Sequence, residues 1–449
     1  MQVYTIPTIN TPMYPFLIMD TSNTIPSKCI SHSLSFFLQD IKEKIHVYEK
    51  EWDNYKKYTN IYEYIHTNNP HKKKSVSKYK PLSRSYFKMI ELINEFDLLD
   101  YIPNHPGATR PIRSFHLAEG PGGFIEAVVN LRNNPNDTYI GMTIQDDKHD
   151  GTIPGWNKSD RFVMSNPNVR LDYGADGTGN ILEISNFEYC YHKYRSTMDF
   201  ITADGGFDFS TDFNNQELQI VELLFAQIAF ALVMQKPGGN FVLKIFDCFY
   251  SSTVDLLALL SSFYHTVYIT KPLTSRSGNS EKYVVCKGFL NDHSVEEFYP
   301  YLYNTFVKKN TDPIVRSPTA EQERHISADL AQQSAGLQGI TYEGNPSPVI
   351  PRTPPASRPA FFTNSVERTS NEFRYIARML SVPIPIYFKV KLEEYNSGFG
   401  FYQLENIHNT INMIERSSKP ERIDHLIQTN IGKCIDWCIR YNVPYNNLR

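Results

Sequence analysis

Between about residues 80 and 310 the apolar positions fall into short blocks separated by stretches of helical periodicity. "SFHLA", "TYIGMT", "MDFITA", "NFVLKIF", "TVYIT" and "KYVVCKG" are β-branched and aromatic runs of strand length, the pattern of buried strands. Between the third and fourth, "NNQELQIVELLFAQIAFALVMQKPGGN" is apolar around most of a helical circumference and stops at Pro-Gly-Gly, so it predicts a helix packed against the sheet. This alternation predicts βαβ units, an α/β fold with a mostly parallel sheet flanked by helices. Residues 1–80 carry one amphipathic helix near "SHSLSFFLQDIKEKIHVYEKEWDNYKKY" and read as an N-terminal extension. Residues 311–365 are rich in Pro and Ser with little apolar periodicity, which reads as a linker. Periodicity returns in "NEFRYIARMLSV" and "RIDHLIQTNIGKCIDWCIRYNV", so residues 366–449 are expected to form a small, mainly helical domain.

Composition adds constraints to this outline. A 449-residue chain with 41% apolar residues can bury a sizeable core. Its net charge of −3 gives no overall attraction for polyanions, so any such site must be local. The best candidate is "HKKKSVSKYKPLSRSYFK", residues 71–88, which holds no acidic residue; a solvated basic loop is the competing reading. The six cysteines are too scattered for a disulfide framework or a zinc site. Cys434 and Cys438, one helical turn apart, read as core residues, and no metal is expected. No long apolar run or charged leader is visible, so the expectation is a soluble intracellular protein with no membrane partner. Nucleus, cytoplasm and viral factory are not distinguished.

The stretch "FHLAEGPGGFIEAVV", residues 115–129, is a buried strand that breaks into a glycine turn and restarts as a helix. Such a turn lets a ligand approach the backbone and offers it N–H donors. A dinucleotide fingerprint needs a third glycine where Ile125 and Glu126 stand, and no Gly-Lys-Ser/Thr follows, so neither that motif nor a nucleoside-triphosphate loop fits. A compact cofactor joining an amino acid to a nucleoside fits best, and S-adenosyl-L-methionine is the common one.

Seven stretches then occur in a telling order: "SRSYFKMIEL", "AEGPGGF", "GMTI", "YGADGTGNI", "TADGGFDF", "GGNFVLKIFD" and "KPLTSRSGNSEKYVVCKG". Over about residues 80–290 the chain resembles the FtsJ-like ribose 2′-O-methyltransferases, most closely their mRNA cap-specific branch. The resemblance implies a Rossmann-fold methyltransferase with a seven-stranded sheet, S-adenosylmethionine as cofactor and capped mRNA as partner. The family's Lys-Asp-Lys-Glu tetrad carries over to Lys88, Asp204, Lys244 and Glu281. A ribose hydroxyl is a weak acid, so an amine must take its proton; Lys244 is assigned that role, Lys88 positions the hydroxyl, and Asp204 and Glu281 orient the amines.

By the same resemblance, Ala118, Glu119, Gly120, Pro121, Gly122, Gly123 and Phe124 hold the cofactor, with Asn180 and Ile181 on the adenine side and Asp176 as a substitute. Ser83, Arg84, Asn214, Asn215, Gln216, Ser275, Arg276 and Asn279 are expected toward RNA. Trp52, Tyr55, Tyr58 and Tyr62 lie where a cap-stacking ring would be sought, but ordinary helix packing is the favoured reading of each and no cap pocket is assigned. Two other functions compete, an rRNA or tRNA 2′-O-methyltransferase and an RNA-binding scaffold that keeps the fold. The C-terminal domain is the candidate for docking capping or transcription machinery.

Overall fold

The computed structural model describes residues 1–99, 110–145, 153, 155–207, 214–311, 374–416 and 419–448. The expected linker, 311–365, lies outside these residues after its first position. The strands are β1 (Gln2–Ile6), β2 (Leu17–Ser22), β3 (Arg113–Leu117), β4 (Thr138–Met142), β5 (Val169–Leu171), β6 (Met198–Ala203), β7 (Gln235–Ile245), β8 (Tyr264–Lys271), β9 (Lys282–Phe289) and β10 (Tyr375–Leu380). The helices are α1 (His32–Ile45), α2 (Glu49–Thr59), α3 (Ser85–Phe96), α4 (Gly123–Arg132), α5 (Asp160–Ser165), α6 (Ile184–Tyr194), α7 (Gln216–Met234), α8 (Ser251–Ser261), α9 (Val295–Thr311), α10 (Ile386–Glu415) and α11 (Pro420–Arg440).

All six strands expected from the central apolar blocks join one sheet, in the order β1-β8-β9-β7-β6-β3-β4-β5. From β5 through β7 neighbours are parallel; β9 runs opposite to β7 and β8, and β1 adds antiparallel to β8. The carboxyl ends of β3, β4, β6 and β7 therefore share one edge with the start of β9. Alternation sorts the side chains: Phe200, Val242, Tyr283 and Val285 belong to a core built with α3, α4 and α11. On the other face α6, α7, α8 and α9 form the second helical layer. α7 is long and apolar enough to cross a membrane, yet nearly all of it is buried within the fold, as its all-round apolar pattern requires.

The flanking segments are woven into this body, since Met1–Asp312 and Tyr375–Arg449 form one compact unit. The first strand of the chain is a sheet edge, and α11 supplies Ile431, Cys434, Trp437 and Cys438 to the core beside α3, so both cysteines are packing residues. Two local expectations are corrected. The single N-terminal helix is divided by a 3-10 turn at His46–Tyr48. Residues 375–380, helical by periodicity, form β10 on the edge of β2. Long-range partners overrule the local pattern there: the Asp255 carboxylate, buried in α8, accepts from the Met379 and Leu380 amides and from Arg378.

One buried ion pair fastens the base of the β3–α4–β4 unit. Asp137 accepts from Arg132 at 2.7 and 2.8 Å, from the Ile112 amide at 2.9 Å and from the Tyr139 hydroxyl at 2.7 Å, and neither charged side chain is exposed. Removing one member of such a pair leaves an uncompensated buried charge, which costs about 3–5 kcal/mol. Asp137→Ala is therefore expected to lower the unfolding free energy by an amount in that range, read as a lower urea midpoint at an unchanged m-value, whereas a surface control, Asp40→Ala, leaves the midpoint within experimental scatter.

Candidate functional site

The shared sheet edge gathers side chains that are far apart in sequence. Asp204 follows the last residue of β6, and Lys244 stands one residue before the end of β7, its parallel neighbour. Because β9 runs the other way, its start reaches the same edge, and that is where Glu281 stands. Lys88 enters from α3, which lies across this edge with Phe87 and Met89 in the core.

The four groups form a row of alternating sign. Lys88 Nζ lies 2.6 Å from Glu281 Oε1, and Lys244 Nζ donates to the Asp204 carbonyl at 2.6 Å with its Oδ1 at 3.3 Å. Tyr283 joins the two halves: its hydroxyl donates to Asp204 Oδ1 at 3.1 Å and accepts from Lys88 Nζ at 3.4 Å. Burial and the nearby carboxylates of Asp204 and Glu281 push this phenol well above its usual value, so it remains a donor. Burial raises the Glu281 carboxyl, but Lys88, Lys244, Arg84 and Lys271 together hold it well below the ordinary carboxylate range. Burial pulls the Lys88 ammonium down, against the opposing charge of Glu281.

The loop between β8 and β9 carries Glu281 into place and is tied along its length. Ser275 Oγ donates to Glu281 Oε1 at 2.7 Å, and Lys271 Nζ donates to the carbonyls of Asn279 and Glu281 and to Asn279 Oδ1. Arg276 makes a two-pronged bond to the buried carboxylate of Glu63 at 2.7 and 3.0 Å. Burial raises the Glu63 carboxyl, but Arg276 outweighs that effect and holds it at about 2. Glu91, one helical turn beyond Lys88, accepts from the Leu273 amide at 2.6 Å, the Thr274 amide at 2.8 Å and the Thr274 hydroxyl at 2.5 Å. Ser275, Arg276 and Asn279, expected toward RNA, thus hold the site's own residues in position.

The glycine turn follows β3 at the same edge. Gly122 adopts a φ of +102° as the N-cap of α4, and an added Cβ at Gly122 or Gly141 would run into the indole of Trp156. Ser83 sits against the turn, its hydroxyl 2.6 Å from that of Ser85 and where a Cβ at residue 123 would fall. Glu119 is buried, with Oε1 2.7 Å from His116 Nδ1 and 3.3 Å from the Thr202 hydroxyl, while Oε2 has no partner. Burial and the charge of Asp204 push this carboxyl well above its usual range, and burial pushes His116 down to about 3. Both shifts disfavour charge on the two groups, so burial favours a hydrogen bond over an ion pair at this contact.

The remaining expected positions are dispersed. Asn180 Oδ1 accepts from the Leu182 amide at 3.1 Å and its Nδ2 reaches Glu183 at 3.2 Å, beside the buried Ile181. Asp176 is occupied by Thr178 and Asn186. Asn214 turns toward Glu43 of α1, and Asn215 and Gln216 open α7. Arg84, at the N-cap of α3, has an electrostatic neighbourhood of Arg276, Glu281 and Glu63. Trp52, Tyr55, Tyr58 and Tyr62 are each half-buried around α2.

Sequence reasoning missed Tyr283, Glu91 and Trp156. Tyr283 is two residues past Glu281 on one strand and Glu91 three past Lys88 on one helix, spacings that share a face and were available as signals. Trp156 had none, since its partners at Gly122 and Gly141 are remote in sequence.

The chain is similar to known proteins over its central region. Residues 81–289 match the FtsJ-like methyltransferase family. A protein of Trypanosoma brucei brucei named cap-specific mRNA (nucleoside-2′-O-)-methyltransferase 1 is 30% identical over 272 residues, 58% of this chain and 71% of its own length. Cap-specific mRNA (nucleoside-2′-O-)-methyltransferase 2 of Drosophila melanogaster is 29% identical over 272 residues, 57% of this chain but only 37% of its own length. Among solved structures, a Plasmodium falciparum protein described as a ribosomal RNA methyltransferase is 23% identical with a TM-score of 0.32, covering 46% of this chain and 98% of its own.

Glu91 yields a pH-dependent prediction. Burial, against its hydrogen bonds from Thr274 and Leu273, pushes its carboxyl up to about 7. The folded state then binds a proton between about pH 7 and the ordinary glutamate value near 4.3, where the unfolded chain does not, so this group's stabilising contribution is lost as pH rises through 7. Urea midpoints at pH 5.5 and 8.5 are expected to fall more in the wild type than in Glu91→Gln over this interval. Equal falls would remove Glu91 as the titrating group.

Proposed function

We propose, from the premise that this chain belongs to the FtsJ-like methyltransferase family, that it methylates the 2′-hydroxyl of the first transcribed nucleotide of capped mRNA. The observation that carries the chemistry is the row Glu281–Lys88–Tyr283–Asp204–Lys244, which ends in an amine on the sheet edge that also carries the glycine turn. A scaffold protein gains nothing from an amine set at a sheet edge among carboxylates, because burying it costs free energy that only pairing or use offsets.

The turn fits S-adenosylmethionine. Ala118 to Phe124 offer a backbone cradle at the start of α4, and the unpartnered Oε2 of Glu119 is a buried polar atom at that place. Asn180 Oδ1 keeps a second lone pair for an adenine amino group next to Ile181. When bound, this cofactor supplies an electrophilic methyl group on a sulfonium.

The chain's own residues manage the acceptor. Lys244 Nζ takes the proton from the ribose hydroxyl, and the two Asp204 oxygens aim it by accepting its N–H bonds. Lys88, fixed by Glu281 and Tyr283, orients the hydroxyl, and Tyr283 keeps Lys88 and Asp204 in register. Arg84, whose electrostatic neighbours include Glu281, is the candidate contact for the adjoining phosphate. The cap specificity draws on the names of the relatives.

Methyl transfer from labelled S-adenosylmethionine to short capped and uncapped RNAs of equal sequence, followed by nuclease digestion, tests this reading. The label is expected on the first ribose of the capped RNA. Lys244→Ala is expected to lower kcat by about 10²–10⁴-fold, the usual contribution of a general base, in a protein that still unfolds cooperatively in urea at a midpoint lowered by the loss of the pairing with Asp204. Equal labelling of uncapped RNA would move the substrate to rRNA or tRNA, and an undiminished kcat in Lys244→Ala would end the base assignment.

A further inference from the structure

The basic segment that opens the methyltransferase region is not used by the chemistry above. Lys72, Lys73, Lys74, Lys78 and Lys80 are all exposed, while Ser75, Val76 and Ser77 between them are buried. Lys73, Lys74, Lys78 and Lys80 pair with no carboxylate among the described residues; Lys80 donates to Ser75 Oγ, and the nearby His71 meets Asp424 at 2.9 Å.

This segment is a pinned ribbon. On one side the Val76 and Ser77 amides donate to the carbonyls of Tyr64 and Ile65 at 2.8 and 3.0 Å. On the other the Lys78 amide donates to the Pro444 carbonyl, the Asn446 amide to the Val76 carbonyl, and Ser77 bridges Tyr445. Its exit is fixed to α4, the helix that starts at the cofactor turn: Tyr79 and the Leu82 amide both donate to Glu126, at 2.7 and 2.8 Å. The chain then runs through Ser83 and Arg84 into α3 and Lys88.

We infer that this lysine ribbon is a track for the phosphate backbone of the RNA body that continues beyond the methylated nucleotide. The inference rests on the proposed RNA substrate and on the short stretch of chain that joins the ribbon, through the candidate phosphate contact Arg84, to Lys88. Phosphate contacts of this kind position a strand without reading its bases, which suits a substrate that shares a 5′ end and differs in sequence. An acidic protein partner is disfavoured because the ribbon exposes lysine ends and no apolar anchor; Val76 is fully buried. The tethers to residues 444–446 assign the end of the chain a role in presenting the track.

The test compares the wild type with the triple variant Lys73→Ala, Lys74→Ala, Lys78→Ala. Binding of a fluorescent uncapped single strand of about 30 nucleotides is expected to weaken about tenfold or more, and the slope of log affinity against log salt to fall by about 2, near 0.7 per lost phosphate contact. KM is expected to rise for a capped RNA of about 30 nucleotides and to stay unchanged for one of about 3, with kcat unchanged in both. Unaltered binding and salt slope would overturn the track and leave the ribbon to a protein partner, and an equal KM rise for long and short RNA would overturn it as well. Weakened binding in a protein that methylates no capped RNA would uphold the track while refuting the proposed reaction.

Discussion

Charge buried at a sheet edge must be balanced within hydrogen-bonding distance, and much of this molecule's local design follows from that requirement. Lys88 is tolerable in a helix buried on nearly all sides, with Phe87, Met89 and Ile93 in the core, because Glu281 meets it at 2.6 Å. Glu281 in turn is tolerable because four cations surround it. Its position depends on the loop before β9, so that loop is held by Glu91, by the Arg276–Glu63 pair and by Lys271. Each anchor comes from a different part of the chain, which is why α3, the N-terminal segment and the sheet share one compact unit.

The start of β9 shows how a strand keeps two charged clusters apart. Glu281 and Tyr283 point to the row that ends in Lys244, while Ser280 and Lys282 point the other way. There Asp247 lies 3.1 Å from Lys42 and 3.0 Å from Lys282, and although burial raises its carboxyl, the two lysines hold it well below its usual range. The period of two in a strand thus places one mixed-charge set on each side of a four-residue stretch. Lys42 belongs to α1, so the second cluster ties the N-terminal helices to the base of the site.

The central sheet was legible because its signals are local: apolar runs of strand length, and motifs whose residues sit at fixed offsets. The row of four was legible through those motifs, and the edge that unites it follows from parallel topology. What was illegible depended on partners remote in sequence. Residues 375–380 have a helical pattern, and nothing in them announces Asp255 or the free edge of β2. Arg276 looked ready for phosphate, yet Glu63, 213 positions away, takes its guanidinium. Ser275 and Asn279 follow the same logic, since a loop that delivers a buried carboxylate needs its own polar groups to hold shape.

Two carboxyl groups stand at neighbouring strand ends, Glu119 after β3 and Asp204 after β6, and their surroundings sort them. Asp204 meets the Lys244 amine and a phenol donor. Glu119 has only the Thr202 hydroxyl and His116, whose imidazole burial keeps neutral, and it also feels the charge of Asp204. Burial and the charge of Asp204 both push the Glu119 carboxyl above its usual range, so the pairing that this edge offers a carboxylate goes to Asp204. A general base works best where its surroundings are fixed before the reaction, and Asp204, held by Tyr283, is the carboxylate whose oxygens meet Lys244.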